Sequence, residues 1–208
     1  MSRKWKALQR ELLTLVGAQL KEDGFSASLA KQEFNKKVPL GLATFHVSFI
    51  PHGEQDFDIT ADVALRLNEV EELTDPGENT YTIGAEIGNI TIGRQRRWTI
   101  ASETDLAGVA AGIAEAFKVT GLDFLARFST LRHVYSALVK NDREARLYSP
   151  LRIYRWRSVI ALAWLLGPSE DLARLIAEGE AFLRGNGDPS VSRFTDLASK
   201  LKSRARIT

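Results

Sequence analysis

The sequence contains no cysteine in its 208 residues. This absence excludes disulfide bonds, thiolate nucleophiles and cysteine-ligated zinc together, and it fits a reducing, cytoplasmic compartment. Hydrophobic residues make up 44% of the chain and charged residues 26%. That balance supplies enough apolar side chains for a sizeable core, so we expect a folded protein and not a disordered one.

Long hydrophobic runs are also absent. The most apolar stretch, residues 158–167, has about ten residues, whereas a membrane-spanning helix needs about 20, so it predicts a buried core helix. The basic residues at the N-terminus precede apolar residues interleaved with Arg10, Glu11 and Thr14, which is typical of an amphipathic helix and not of a signal peptide. We therefore expect a cytoplasmic protein with no membrane partner.

Familiar catalytic and cofactor motifs are missing as well. The three histidines (His46, His52 and His133) form no i, i+4 pair of the metalloprotease type. The chain has neither a G-x-S-x-G elbow nor a phosphate-binding G-x-x-x-x-G-K-[ST] loop. We assign no catalytic residue and expect no cofactor, and a binding protein is favoured over an enzyme.

The net charge of +2 is too small to indicate a nucleic-acid partner, but its distribution is uneven. Residues 1–119 carry 13 Lys and Arg against 17 Asp and Glu, a net charge of −4, and residues 120–208 carry 15 against 9, a net charge of +6. The two halves could dock on each other, which we favour, or the basic half could present a face to a partner.

Hydrophobic residues at helical spacing predict a first helix over residues 3–23. We expect Gly24 to end it in the left-handed conformation, with Phe25 packed back on Leu20 in a Schellman motif.

A sheet follows in the predicted structure. A weak strand is expected at residues 28–34, and strict alternation over residues 43–49 and 57–67 predicts two strands of an antiparallel hairpin. Alternation continues through residues 81–87 and changes parity at Gly88-Asn89, which predicts a bulge before residues 90–92. A last strand is expected at residues 98–100.

The hairpin has two registers that make its apolar faces coincide. One places His46 opposite Asp62 and leaves Gly53–Gln55 in the loop. The other places His46 opposite Thr60 and leaves His52–Glu54 in the loop. We favour the first.

The hydrophobic period becomes helical after Ser102, which forms a capping-box-like start with Asp105. Gly121 is expected to end this helix, and Ser149-Pro150 to cap a later one. Further helical stretches are predicted at residues 131–138, 151–166, 170–183 and 191–201.

These patterns predict an α+β protein with an N-terminal helix, an antiparallel sheet of four to five strands, and then a C-terminal set of about five helices. The predicted domains are an α+β domain at residues 1–140 and a helical extension packed on it at residues 141–208, or one continuous domain over 1–208. Asn141–Glu144 is the expected joint.

One predicted strand carries side chains that could bind a metal. Asp56, Asp58 and Asp62 share its polar face, and His46 shares that face on the neighbouring strand. Such a group could hold Mg²⁺ or Mn²⁺ for phosphodiester chemistry. The solvated face of a one-sided sheet produces the same alternation of charges, and we favour that explanation, so we assign no metal site.

Two clusters combine arginine with aromatic residues. The 94–98 cluster contains Arg94, Arg96, Arg97 and Trp98, and the 152–157 cluster contains Arg152, Tyr154, Arg155, Trp156 and Arg157. Exposed arginine beside an exposed aromatic side chain holds phosphate and stacks a base. The candidate interaction surface therefore consists of Arg94, Arg96, Arg97 and Trp98 from the first cluster and Arg152, Arg155 and Trp156 from the second. The alternative, which we favour, is that the aromatic residues are core anchors and the arginines lie beside them or pair with carboxylates.

Three stretches of the sequence resemble a known family. They are residues 11–25, which end in Lys-Glu-Asp-Gly-Phe, residues 96–106, where Arg-Arg-Trp-Thr-Ile precedes a Ser-Glu-Thr-Asp-Leu helix start, and residues 121–129, Gly-Leu-Asp-Phe-Leu-Ala-Arg-Phe-Ser. Over about residues 5–140 the chain is similar to bacterial domains of unknown function of the DUF4304 type. The resemblance implies a leading helix, a sheet and then helices. It implies no established activity and no catalytic residues.

Two functions are compatible with these observations. The first is a non-enzymatic cytosolic binding protein, of an accessory or toxin-neutralising type, whose charge asymmetry suits electrostatic recognition of a protein partner. The second is a nucleic-acid-associated protein or a metal-dependent nuclease that uses the arginine clusters and the Asp56–Asp62 strand. We favour the first and expect another protein as the partner.

Overall fold

The computed structural model describes residues 3–53, 56–74, 81–167 and 171–205. It confirms the expected α+β architecture, with an N-terminal helix, an antiparallel sheet and then a set of C-terminal helices. The sequence also predicts a turn at Asp75–Gly77 and a helix that begins at Ser169, and both positions lie outside the described residues.

The strands of the described residues form one sheet. They are β1 (Ser26–Ser28), β2 (Glu33–Val38), β3 (Gly41–His52), β4 (Asp56–Leu67), β5 (Ile83–Glu86) and β6 (Trp98–Ile100). Their order is β1-β2-β3-β4-β5, and β6 also pairs with β4, with Phe57 opposite Ile100 and Ile59 opposite Trp98. β4 is therefore bordered by β3 on one edge and by β5 and β6 on the other.

The helices of the described residues are α1 (Arg3–Leu20), α2 (Asn68–Thr74), α3 (Ile87–Thr91), α4 (Leu106–Ala116), α5 (Leu122–Arg127), α6 (Leu131–Leu138), α7 (Arg143–Tyr148), α8 (Arg152–Leu165), α9 (Asp171–Gly185) and α10 (Val191–Ala205). A π-helical turn at Phe117–Gly121 joins α4 to α5, and 3₁₀ turns occupy Leu29–Lys31 and Glu103–Asp105. None of these helices combines the length and the apolar character that crossing a membrane requires.

The chain divides into two compact units. Unit 1 comprises residues 1–65 and 84–127, and unit 2 comprises residues 66–83 and 128–208. The expected joint at Asn141–Glu144 lies within unit 2, where it spans the end of the α6–α7 connection and the first residues of α7.

The core of unit 1 is formed by the inward face of the sheet and the apolar stripes of α1 and α4, which pack together. Phe117 lies at its centre, with ring centroids 5.0 Å from Phe25 and 4.5 Å from Phe45. All three rings are buried, and full burial of each stabilises the fold by roughly 1.5–3 kcal/mol. α1 ends at Leu20, three residues before the predicted end. Its closing turn is as predicted, because Gly24 has a positive φ and the N–H of Phe25 donates to the carbonyl of Leu20.

The core of unit 2 surrounds α8, which packs against α2, α6, α9 and α10. Residues 155–163 of this helix are all buried. A helix that is covered on every side needs apolar residues around its whole circumference, which explains why the most apolar stretch of the sequence begins here.

Three local predictions are wrong. Residues 28–34 form β1, a 3₁₀ turn and the start of β2, because Gln32 adopts a left-handed conformation with φ of 58° that breaks the strand. Residues 87–91 form α3 instead of a bulged strand, since the carboxylate of Glu86 accepts the N–H of Asn89 and caps a helix. The helix that begins at Leu106 continues past Gly121 through the π-helical turn into α5. A Cβ at Gly121 would overlap the ring of Phe117, so this glycine permits close packing and is not a stop.

Candidate functional site: two arginine clusters

The 94–98 cluster lies in unit 1, on the segment that joins α3 to β6. Arg94, Arg96 and Arg97 are exposed, and Trp98 is half-buried at the start of β6. β6 is short and pairs with only the first part of β4. The residues just before it therefore lie outside the sheet and are exposed to solvent. The structure therefore brings these four predicted residues together.

One buried carboxylate orders this segment. The two oxygens of Glu86 accept hydrogen bonds from the backbone N–H of Asn89 at 2.8 Å and of Arg96 at 3.0 Å. Gly88 allows the segment to fold back on α3, since a Cβ there would overlap the backbone at Arg94 and Arg96. The exposed arginines consequently extend from a backbone that is fixed at both ends.

The indole of Trp98 is covered by its neighbours. The guanidinium carbon of Arg96 lies 4.9 Å from the ring centroid, within the range of a cation–π contact. The Nε1 edge lies against α4, where a Cβ added at Gly112 would be 3.2 Å away. Trp98 therefore anchors the segment and holds Arg96 in place, and its ring offers little free surface to a nucleic-acid base.

Arg97 is tied to the sheet through Asp58 on β4. Its Nη1 lies 3.3 Å from Oδ2 of Asp58, which also contacts Nε2 of His52 at 3.0 Å, and Thr99 donates to Oδ1 at 2.7 Å. The hydrogen bond from Thr99 is the main cause that lowers the pKa of Asp58. Partial burial opposes it, and His52 and Arg97 add to it.

Asp58 and Asp62, two of the candidate metal ligands, have other interactions in the structure. Burial raises the pKa of Asp62, the charge of Glu86 adds to this effect, and His46 opposes it. Asp58 is occupied by its three partners on β6, the preceding segment and β3. Among the described residues, no three His, Asp or Glu side chains come together as metal ligands would.

The 152–157 cluster lies in unit 2 and is mostly buried. Arg155 is only 2% exposed, and Trp156 is buried with its ring centroid 6.0 Å from that of Phe182. Arg157 is buried too, whereas Arg152 is exposed at the start of α8. The structure therefore does not place Arg155 and Trp156 on a surface, because α8 is enclosed by other helices of the unit.

Arg155 has a structural role that its position explains. Its Nε and Nη2 donate to Oδ1 of Asn141 at 3.1 and 3.0 Å, and its Nη1 donates to the carbonyl of Ser149. Asn141 precedes α7 and Ser149 follows it, so one guanidinium ties both ends of that helix to α8. Ser149 contributes its carbonyl here, and the predicted side-chain cap of α8 is not formed, since the N-cap residue is Leu151.

Burial is the main cause that lowers the pKa of Arg155, and the charges of Arg146 and Arg152 add to it. Arg146 reaches the same loop, where its Nε donates to the carbonyl of Asn141 at 3.3 Å.

Two apolar residues of unit 1 are exposed although no sequence pattern indicated it. Ile92, immediately after α3, is 58% exposed, and Val119, in the π-helical turn, is 63% exposed. The π-helical turn packs against α3. The alternation of Ile90 and Ile92 predicts a strand, whereas in the structure Ile92 follows the helix at Ile87–Thr91 and is exposed. Its position directly before a glycine and a charged residue, Gly93 and Arg94, is the sequence feature that could have indicated its exposure.

No family model, no curated protein and no solved structure matches the chain. The geometry of the two clusters is therefore the basis for inferring function.

Proposed function

We propose that the protein is a non-enzymatic binding protein of the cytoplasm that docks an acidic segment of a partner protein. The docking surface consists of Ile92 together with Arg94, Arg96 and Arg97. One observation carries this proposal: three exposed arginines stand beside an exposed isoleucine on a backbone that Glu86 holds in place.

The charges of this surface support an acidic partner. Within the described residues, Arg97 is the member of the three that forms an ion pair, and it shares Asp58 with His52. The carboxylate of Glu86 is turned toward backbone N–H groups and not toward the guanidinium groups. Positive charge is thus left for a partner, and such complementarity raises association rates and selects against wrong partners.

The apolar residue distinguishes a protein partner from a nucleic acid. Interface centres combine arginine with apolar anchors, whereas single-stranded nucleic acid needs exposed aromatic rings on which bases stack. Among the residues of unit 1 that the structure describes, the exposed large apolar ones are Ile92 and Val119, and Trp98 is covered by Arg96. These features favour a protein segment that presents carboxylates around an apolar side chain.

The fixed backbone favours binding in its own right. A segment already held in one conformation loses less conformational entropy when a partner docks, so more of the contact energy remains as affinity. This mode of action, in which a surface is occupied and no bond is made or broken, suits an accessory or toxin-neutralising protein. The resemblance to bacterial domains of unknown function stays a prediction, and the proposal does not depend on it.

The test is a fluorescence-anisotropy titration with three labelled probes of equal charge, at low and at physiological salt. The probes are a peptide of alternating Glu and Leu, a peptide of Glu and Ser, and a single-stranded oligonucleotide. We expect the Glu-Leu peptide to bind most tightly. The variant R94E/R96E/R97E should lose this binding, and Ile92→Ser should remove the preference for Glu-Leu over Glu-Ser.

A matched control separates the docking surface from general attraction. Lys21, Lys31 and Lys37 are also exposed in unit 1, and K21E/K31E/K37E changes the net charge by the same amount. The control variant should bind the Glu-Leu peptide like the wild type. Tightest binding of the oligonucleotide would support the nucleic-acid alternative instead. Equal losses in the two triple variants, or no binding at low salt, would refute the proposal.

A further inference from the structure

A cavity of about 460 Å³ opens in unit 1 beside the first helix. One wall is formed by Lys6, Gln9, Arg10 and Leu13 of α1, and the opposite walls include Leu29 of the 3₁₀ turn and Phe49 of β3. Its volume lies within the range of roughly 300–1,000 Å³ that is typical of sites for small molecules. None of its lining residues belongs to the docking surface, so the cavity is a separate feature.

The charged residues that line the cavity are both cations. Lys6 and Arg10 lie one helical turn apart, four residues from each other, and therefore on the same face of α1. Both are exposed, and neither forms an ion pair among the described residues. The mouth of the cavity is consequently positive, which selects an anionic ligand.

Gln9 also lines the cavity and carries a hydrogen-bond donor. Its Nε2 is buried and has no hydrogen-bond partner among the described residues. A buried N–H without an acceptor is costly, and a ligand oxygen in the cavity would remove that cost.

The remaining walls are largely apolar and held in position. Leu13 is buried, and Leu29 and Phe49 are half-buried and face open space. The 3₁₀ turn that carries Leu29 ends at Gln32, which also lines the cavity and has φ of 58°. The N–H of Gln32 donates to the carbonyl of Leu29, and its own carbonyl accepts from Val47 of β3. Left-handed residues other than glycine persist only where their surroundings fix them, and they are enriched at ligand sites.

We infer that this cavity binds a small carboxylic acid with a short apolar tail. Lys6, Arg10 and the Nε2 of Gln9 hold the carboxylate, since charge-assisted bonds to a carboxylate are among the strongest that a side chain makes. Leu13, Leu29 and Phe49 cover the tail.

The test compares octanoate, octanol and octylammonium, which share a tail and differ in charge. Isothermal titration calorimetry gives the affinities, and ¹⁵N–¹H spectra follow the side-chain amide of Gln9. We expect octanoate to bind and to shift that amide, octanol to bind about tenfold more weakly or worse, and octylammonium not to bind. Lys6→Gln and Arg10→Gln should each weaken octanoate binding by about tenfold, the effect of losing one charge-assisted hydrogen bond.

Two further variants make the result decisive. Lys21→Gln removes an exposed cation just beyond α1 that does not line the cavity, and it should leave octanoate affinity unchanged. Ala30→Phe places a ring in the cavity and should block octanoate, and a dispersed ¹⁵N–¹H spectrum would show that the variant folds. The inference is overturned if octanoate does not bind at millimolar concentration, if the three probes bind equally, or if Lys21→Gln weakens binding as much as Arg10→Gln. These outcomes leave the docking surface untested, so the two proposals fail separately.

Discussion

The two arginine clusters look alike in sequence, but the first is exposed and the second is mostly buried. In the 94–98 cluster the aromatic residue is partly buried and the arginines are exposed, whereas in the 152–157 cluster Arg155 is as buried as its neighbour Trp156. The difference arises from the elements that carry them. A strand that begins at Trp98 leaves the preceding residues in solvent, but a helix enclosed by other helices buries every side chain along several turns.

Local composition therefore does not decide whether an arginine is exposed or buried. Arg155 forms its hydrogen bonds with neutral oxygens of Asn141 and Ser149. Its guanidinium group therefore stabilises the packing of α7 against α8. Arg94 and Arg96 form no such bonds through their guanidinium groups among the described residues. The fold uses the backbone N–H of Arg96 and leaves its charge exposed.

The largest effect is expected from removing Arg155. Arg155→Ala leaves Oδ1 of Asn141 and the carbonyl of Ser149 without their donor and opens a void beside α8, so we expect a loss of about 3 kcal/mol in the free energy of unfolding. Urea denaturation followed by circular dichroism measures it. Arg152→Ala, one turn away and exposed, is the control and should change stability by about 0.5 kcal/mol or less. Equal effects of the two substitutions would contradict the structural role of Arg155.

Glu86 provides the next largest effect. Glu86→Ala removes the acceptor of two backbone N–H groups, and we expect a loss of about 1–2 kcal/mol in the free energy of unfolding. Glu86→Gln keeps one acceptor oxygen and should lose less. Hydrogen exchange of the Arg96 amide should be faster in both variants, most of all in the alanine variant. Unchanged exchange at Arg96 would show that the exposed segment is ordered by something else.

Two aspartates on one face of β4 should respond to pH in opposite directions. The pKa of Asp58 is lowered, so its ionised form stabilises the fold above its ordinary value of 3.8, and this contribution is lost as pH falls through the lower folded value. The pKa of Asp62 is raised, so its contribution is present below 3.8 and is lost as pH rises through the higher folded value.

The corresponding variants are Asp58→Asn and Asp62→Asn. At pH 7 we expect the first to lower the free energy of unfolding and the second to raise it, and both differences should shrink toward pH 3. Urea denaturation at the two pH values is sufficient. A stabilising Asp58→Asn at neutral pH would contradict the contacts with Thr99, His52 and Arg97.

The smallest effect on stability is expected from the exposed arginines. The variant R94Q/R96Q/R97Q loses one cation–π contact and one partly exposed ion pair, each worth about 1 kcal/mol or less. We therefore expect a total loss of about 1 kcal/mol, well below that of the single Arg155→Ala variant. A triple variant that is less stable than Arg155→Ala would reverse the comparison between the clusters.

The sequence predicted those parts of the fold that depend on local periodicity. The long strands β3 and β4, the closing turn of α1 and the capping box at Ser102 and Asp105 follow from residues close together in the chain, and the structure confirms them. Predictions failed where a single side chain or backbone conformation overrides the hydrophobic pattern, as Gln32 does within residues 28–34. Glu86 caps α3 and also binds the N–H of Arg96 ten residues later, a contact that no local pattern contains.

The favoured interpretation made the aromatic residues of the second cluster core anchors, but the contacts that hold Arg155 could not be predicted, because they join residues far apart in the sequence. Asn141–Glu144 was interpreted as a joint, but Asp142 caps α7 by accepting the N–H of Ala145. Without that helix, the sequence gives no indication that Asn141 and Ser149 meet at Arg155. The cavity beside α1 could not be predicted either. Gln32, which lines it, has a left-handed conformation, and the strand predicted at residues 28–34 does not allow that conformation.

The most direct test of the central claim follows the indole N–H signals of Trp98 and Trp156 in ¹⁵N–¹H spectra, assigned with Trp98→Phe and Trp156→Phe, during titration with the Glu-Leu peptide. We expect the Trp98 signal to shift in a saturable manner, because Arg96 on its ring engages the peptide, and the Trp156 signal to stay in place. A shift of Trp156 without one of Trp98 would refute docking at the 94–98 cluster.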